Sequence, residues 1–241
     1  MRPMQHIARP LALLLLAAAC ADPGGRPDSL DVSAVDSALR PGTPVPAGEP
    51  AAPSPAAAWR TNPADGVTLT PGTPTVVETG PHALLWQEGA PELAPPYVIR
   101  AELRKRAGRL HEGYGIVFGG AALEGDEAAQ AYGYFLVRGD GSFLVKRRAG
   151  AETPVVRDWT RHPRINRDAD GTGRSNVMEV RVDADSATFV VNGAEVARVP
   201  SAELPVRGRA GLRIAHDVVV EVLGYGAGPA TDSAAADSVA P

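Results

Sequence analysis

Three groups of residues in this chain of 241 have types and spacings suited to chemistry. The first is a pair of tyrosines and an arginine. Tyr132 and Tyr134 alternate along one apolar run, and Asp140-Gly141 marks a turn before the next run. Pairing Gly139 with Ser142 across that turn places Tyr132, Tyr134 and Arg147 on one face. Phe135, Val137 and Leu144 then share the other face, which is assigned to the core. Aromatic rings beside a fixed guanidinium suit a sugar ring or a carboxylate. The second group consists of two short stretches expected to rim the same surface: His111-Glu112, and the connection carrying Trp159 and His162. The third is Asn166-x-Asp168-x-Asp170-Gly171. Alternating oxygen ligands before a glycine suit a hard cation, so calcium is the one cofactor this sequence suggests. The motif is incomplete, because Val177 stands where a calcium loop has its closing Glu.

Other chemistries lack their residues, and no catalytic residue is assigned. Ordinary glycoside hydrolysis uses two carboxylates flanking the scissile bond. Glu124-Gly125-Asp126-Glu127 has the wrong spacing for such a pair on a strand. Glu179 and Asp183 lie four apart near a turn, and both read as surface acids. No nucleophile elbow, phosphate loop or Rossmann glycine pattern occurs. Cys20 is the only cysteine, and no two histidines are closely spaced. A structural zinc site and an internal disulfide framework are therefore not expected.

The elements that must position these residues are strands. In Tyr97–Arg104, Tyr97, Ile99, Ala101 and Leu103 alternate with Val98, Arg100, Glu102 and Arg104, the period of a half-buried strand. Similar runs occupy 113–119, 130–138, 142–148, 176–183, 186–191, 194–199, 209–214 and 217–223. Asn192-Gly193, between TFVV and AEVARV, matches a two-residue hairpin in which both central residues take positive φ. The expected fold is all-β: an antiparallel β-sandwich of jelly-roll type.

The chain ends differ from this body. Arg2 and Arg9 flank and precede the apolar run Leu11–Ala19, and Cys20 follows. That is the layout of a secretory signal, too short to span a bilayer. Ala17-Ala18-Ala19-Cys20 resembles a bacterial lipobox, which implies that residues 1–19 are removed and Cys20 is lipidated. Residues 20–58 are rich in proline and alanine and read as a disordered tether; residues 226–241 read as a disordered tail. The jelly roll is then expected over 59–225. The formal net charge is −4, and loss of the leader's two arginines makes the remainder more acidic, which argues against a nucleic-acid partner. Between Tyr97 and Arg181, however, basic side chains outnumber acidic ones.

GYGIVFGG at 113–120, YGYFLVRGDGSFLVKRR at 132–148, SNVMEVRVDADSATFVVNGAEVARV at 175–199 and GRAGLRIAHDVVVEVLGY at 208–225 resemble the concanavalin A-like, or laminin G-like, jelly-roll group. Within it they are similar to the bacterial 3-keto-disaccharide hydrolase-like domains. The resemblance implies a fold more than a function, because such sandwiches host lectins, enzymes and adhesion modules. Three expectations stand. The first is a lipid-anchored protein of the bacterial cell envelope, exported by its signal peptide, that binds carbohydrate or another envelope component without catalysis. The second is a glycoside or 3-keto-disaccharide hydrolase. The third is a structural or protein-interaction module whose partner is an envelope protein.

Overall fold

The computed structural model describes residues 58–168 and 173–230. The signal segment, Cys20, the tether through residue 57, Asp170 and residues 231–241 lie outside the described residues. The strands are β1 (Trp59–Asn62), β2 (Val67–Thr70), β3 (Thr75–Thr79), β4 (Ala83–Gln87), β5 (Tyr97–Ala107), β6 (Gly113–Ala121), β7 (Ala131–Arg138) and β8 (Ser142–Ala149). They continue with β9 (Val155–Arg161), β10 (Asn176–Val182), β11 (Ser186–Val191), β12 (Ala194–Pro200), β13 (Arg209–Ile214) and β14 (Val218–Pro229). All pairings are antiparallel. One sheet has the order β1-β4-β13-β6-β7-β8-β9, and the other β12-β11-β10-β5-β14-β3-β2. The fold is an antiparallel jelly-roll sandwich, as the alternation predicts.

The two sheets meet through the apolar half of each strand. Tyr97, Ile99, Ala101 and Leu103 of β5 are buried, while Val98, Arg100, Glu102 and Arg104 alternate with them at intermediate exposure. From the opposite sheet come Tyr114, Ile116, Phe118, Phe135, Val137, Phe143 and Val145. Phe189 of β11 bridges the layers, with ring centroids 5.1 Å from Phe135 and 5.7 Å from Phe118. Such tilted aromatic pairs add to the burial that holds sheet against sheet.

The hairpin at Asn192-Gly193 forms as expected. Val191 pairs with Ala194, and φ is 49° at Asn192 and 78° at Gly193. The asparagine does more than turn the chain. Its Oδ1 accepts from the Val177 N–H at 2.8 Å, and its Nδ2 donates to the Arg164 carbonyl at 2.7 Å. The turn thus ties β10 to the segment that follows β9.

Several sequence expectations need correction. The body does not stop at residue 225. Gly226 to Pro229 continue β14, pairing with Arg100 to Tyr97, because long β5 offers its edge that far. Residues 155–161 form strand β9 rather than a loop, so Trp159 is a strand residue. The β7–β8 hairpin pairs Arg138, not Gly139, with Ser142, leaving Asp140 and Gly141 near its tip, with Gly141 at φ 84°. A one-residue slip moves every side chain of the second strand to the other face. Arg147 accordingly leaves the tyrosine face and is exposed opposite Gly133; Arg148 takes its place opposite Tyr132, and Leu144 joins the tyrosines rather than the core.

A second apolar cluster lies outside the sandwich. Leu84, Trp86, Val117, Tyr132, Tyr134, Leu136 and Leu144 form it on the outer face of the first sheet. Half of that face is roofed by the 122–130 loop. Leu123 inserts from the loop, and Asn62 Nδ2 donates to the carbonyls of Leu123 and Gly125 at 2.7 and 2.9 Å. Gln130 Nε2 adds a bond to Gly125 at 2.9 Å. Tyr132 lies under this roof, 1% exposed.

Candidate functional site

The unroofed half of the outer face holds a pocket of about 330 Å³. Strand register builds it row by row. Arg213 on β13 pairs with Gly115 on β6, which pairs with Leu136 on β7, which pairs with Leu144 on β8. In the next row, Val117 pairs with Tyr134, Tyr134 with Lys146, and Lys146 with Val155 of β9. Opposite Leu144 the β9 strand carries one extra residue, since Phe143 pairs with Thr160 and Val145 with Arg157. This bulge leaves both Asp158 and Trp159 lining the pocket. Bulges commonly re-aim side chains in this way beside functional sites.

Gly113 forms part of the floor. A Cβ there would lie 3.1 Å from Trp159 Cη2 and 3.3 Å from Leu136 Cδ1. The absence of a side chain lets the indole lie close against the sheet. Arg138 covers the indole, its Cζ 4.3 Å from the ring centroid, and is itself held by Asp140 at 2.9 Å. Across the pocket, the Arg213 guanidinium stands 5.1 Å from the centre of the Tyr134 ring.

At the end of the strands, loops close the rim with a carboxylate and histidines. Glu112 is buried, and its Oε1 lies 3.2 Å from His111 Nε2 and 3.3 Å from His216 Nε2. Both imidazoles are exposed to solvent. His82 lines the pocket as well, with Nε2 2.9 Å from Glu127 of the roofing loop. Burial, followed by the Arg213 charge, holds the His82 imidazole below its ordinary value despite Glu127. Burial also lowers the Lys146 ammonium, with help from Arg213 and Arg148 and against Asp158. The Tyr134 hydroxyl is raised, chiefly by burial.

The structure gathers four of the seven expected ligand-binding residues here: His111, Glu112, Tyr134 and Trp159. The other three stand elsewhere. Tyr132 is under the roof, where Arg148 Nε donates to its hydroxyl at 3.3 Å. Arg147 is on the far face of its strand. His162 lies past the end of β9, its Nδ1 accepting from the Arg164 N–H at 3.3 Å, and burial lowers its imidazole. Sequence reasoning missed Lys146, Asp158, Arg213, His82 and His216. For Lys146 the signal was available: correct hairpin register places it opposite Tyr134. Asp158 was hidden because β9 read as a loop, while His82, Arg213 and His216 depend on pairings between strands remote in sequence.

Two of the three calcium candidates, Asn166 and Asp168, have partners within the protein, and Asp170 lies outside the described residues. Asp168 faces Lys105 Nζ at 2.9 Å, with both side chains closed off from solvent. Asn166 spends its side-chain amide donating to the Ser175 carbonyl at 2.7 Å. Asp168 is thus the counter-ion of a buried lysine. Among the described residues, no three His, Cys, Asp or Glu side chains cluster to hold a metal. Glu179, expected on the surface, is buried between Arg100 and Arg181, the latter at 2.7 Å.

A larger pocket, about 620 Å³, flanks β1 and β4. Its charged groups already satisfy one another, Arg60 with Glu88 and Arg209 with Glu124. It therefore offers a ligand fewer unpaired groups than the Tyr134 pocket does.

No protein-family model matches the sequence, and no curated protein sequence does. Solved structures do match in fold. Carbohydrate-binding module CBM66 from Bacillus subtilis superposes with a TM-score of 0.56 at 9% identity, over 71% of this chain and 95% of that one. A Bacillus subtilis protein with a galectin-like fold gives 0.51 at 11% identity, over 70% of this chain and 88% of its own. The carbohydrate recognition domain of Emp47p gives 0.51 at 12% identity, over 72% of this chain and 89% of its own. At such identities the likeness is one of fold: the chain has the galectin-like, concanavalin-like jelly-roll architecture that these proteins share.

Proposed function

We propose that this protein binds carbohydrate in the outer-face pocket, as a lipid-anchored component of a bacterial cell envelope. The observation that carries the binding reading is the joint placement of Trp159, Tyr134, Glu112 and Lys146 around one cavity. Apolar ring surface with a few convergent polar groups is what a sugar requires, since its hydroxyls need partners and its C–H faces need apolar cover. Folds of this class that bind sugars, such as the module from Bacillus subtilis, support the same reading. The envelope address rests on the positive start, the Leu11–Ala19 run and Cys20, with residues 20–58 linking anchor to domain.

Calorimetric titration of the full chain with a panel of neutral and acidic oligosaccharides tests binding. At least one sugar should bind, and Trp159→Ala should weaken it by tenfold or more. A panel with no binder would refute the reading. Cys20→Ser should move the protein from the membrane to the soluble fraction; unchanged retention would refute the anchor.

A second reading is a hydrolase of glycosides or 3-keto-disaccharides. Its support is that two carboxylates, Glu112 and Asp158, line the same pocket. Turnover of an oligosaccharide that is lost in both Glu112→Gln and Asp158→Asn would establish it over simple binding.

A further inference from the structure

We infer that the pocket takes a negatively charged sugar, whose carboxylate or sulfate sits between Lys146 and Arg213. This rests on the carbohydrate reading of the same pocket.

The argument begins with how charges are sorted around the cavity. Tyr134 is flanked by two cations: Lys146 is its direct cross-strand partner, and Arg213 stands over its ring. Among the described residues, no carboxylate lies within ion-pair distance of either. The acids that line the pocket are engaged elsewhere. Glu112 lies between His111 and His216, and Asp158 Oδ1 accepts the Trp159 N–H at 2.7 Å.

Both cations also have donors to spare. Lys146 Nζ gives one bond, to Thr153 Oγ1 at 3.2 Å, which leaves two of an ammonium's three N–H groups. Among the described residues Arg213 makes no side-chain hydrogen bond or ion pair, and only its Nε is buried without a partner, which leaves the terminal N–H groups unengaged. Two like charges held together on a partly desolvated surface repel each other. An oxyanion placed between them removes that repulsion and accepts from both. Arginine also presents paired N–H groups that match carboxylate or sulfate oxygens. The acidic rim at Glu112 is left to accept sugar hydroxyls.

The test uses the full chain and two matched pairs of probes. Oligogalacturonate is compared with its methyl ester, and dextran sulfate with dextran, at low and high salt. The expected result is that at least one charged member binds tenfold or more tightly than its neutral partner, with a preference that shrinks in salt. Lys146→Gln should cut the preference severalfold, with Arg213 retaining the remainder. Arg213→Lys, which keeps charge but loses the paired donors, should reduce it. Circular dichroism verifies that each variant is folded. Equal affinity for charged and neutral members, or preference unchanged in Lys146→Gln, overturns the anion subsite while leaving carbohydrate binding standing. No binding of any charged probe overturns the subsite; if the neutral panel fails too, the carbohydrate reading falls with it.

Discussion

Lys105 on β5 meets Asp168 inside the protein, Nζ to Oδ2 at 2.9 Å, with neither side chain reaching solvent. Lys105 Nζ also donates to the Arg109 carbonyl at 2.9 Å, whereas among the described residues the Asp168 oxygens accept no well-directed hydrogen bond. The carboxylate is packed against backbone instead: a Cβ at Gly139 would fall 2.3 Å from Oδ2, and one at Gly173 would fall 1.8 Å from Oδ1. The pair pins the segment after β9 to the end of the sandwich.

That arrangement gives an asymmetric mutational outcome. Removing one partner strands a buried charge, which costs about 3–5 kcal/mol. Lys105→Met and Asp168→Leu should each lose about that much in urea denaturation. The double variant should recover most of the loss, because a poorly hydrogen-bonded ion pair returns little beyond its own desolvation cost. Additive losses would show that the pair contributes more than its geometry implies.

Asn192 carries a second stability prediction. Its φ of 49° is strained for residues branched at Cβ, and its side chain makes bonds to Val177, Arg164 and Asn176. Asn192→Val should therefore cost about 2–4 kcal/mol, combining left-handed strain with buried partners left unpaired. Asn192→Gly should cost less, since it restores backbone freedom but not the bonds. Thermal melts of the two variants separate the contributions.

Local pattern made the sandwich legible but not the pocket. Strands such as Tyr97–Ala107 announce themselves because one face is buried and the other wet, and Asn192-Gly193 names its own turn. β4, with Ala83 to Trp86 all buried, has no alternation to read, because its outer face is covered by the 122–130 loop. β9 failed for the opposite reason: VVRDWTR is an exposed edge strand with mostly polar side chains. Tyr134 lines the pocket, yet the arginine expected beside it stands on the other face by a single residue of hairpin register. Arg213 and His216 reach the site through β13, which pairs with β6 from nearly one hundred positions away, and no local pattern reports that.

Gly113 offers a way to close the pocket without touching its polar groups. The space left by its missing Cβ is taken up by Trp159 and Leu136, 3.1 and 3.3 Å from where that Cβ would lie. Gly113→Val should push on the indole and fill the floor, lowering sugar affinity by tenfold or more. The backbone pairing with Arg138 should survive, so the melting temperature should change far less than affinity does. Wild-type affinity in this variant would place the ligand elsewhere on the surface.

Acid and base should act on this pocket in opposite directions. Lys146 is held below its ordinary value of 10.5 by burial, with Arg213 and Arg148 adding to the effect and Asp158 opposing it. Affinity for a charged sugar should thus fall as pH rises through a value below 10.5. The fall is partial, because a guanidinium keeps its charge there. On the acid side, His82 is lowered from 6.5 by burial first and Arg213 second. A base whose folded value is depressed stabilises the fold above its unfolded value, and that stability is lost as pH falls through the folded value. Melting temperature should therefore decline as pH drops below about 6.5, and His82→Gln should flatten that decline. Protonating His82 also adds positive charge beside Arg213, so the affinity of the surviving folded protein for an acidic sugar should rise over the same interval. His111 and His216 beside Glu112 remain in the variant, so comparing His82→Gln with wild type isolates the one imidazole. A pH profile identical in the two proteins would show that His82 does not carry the acid response.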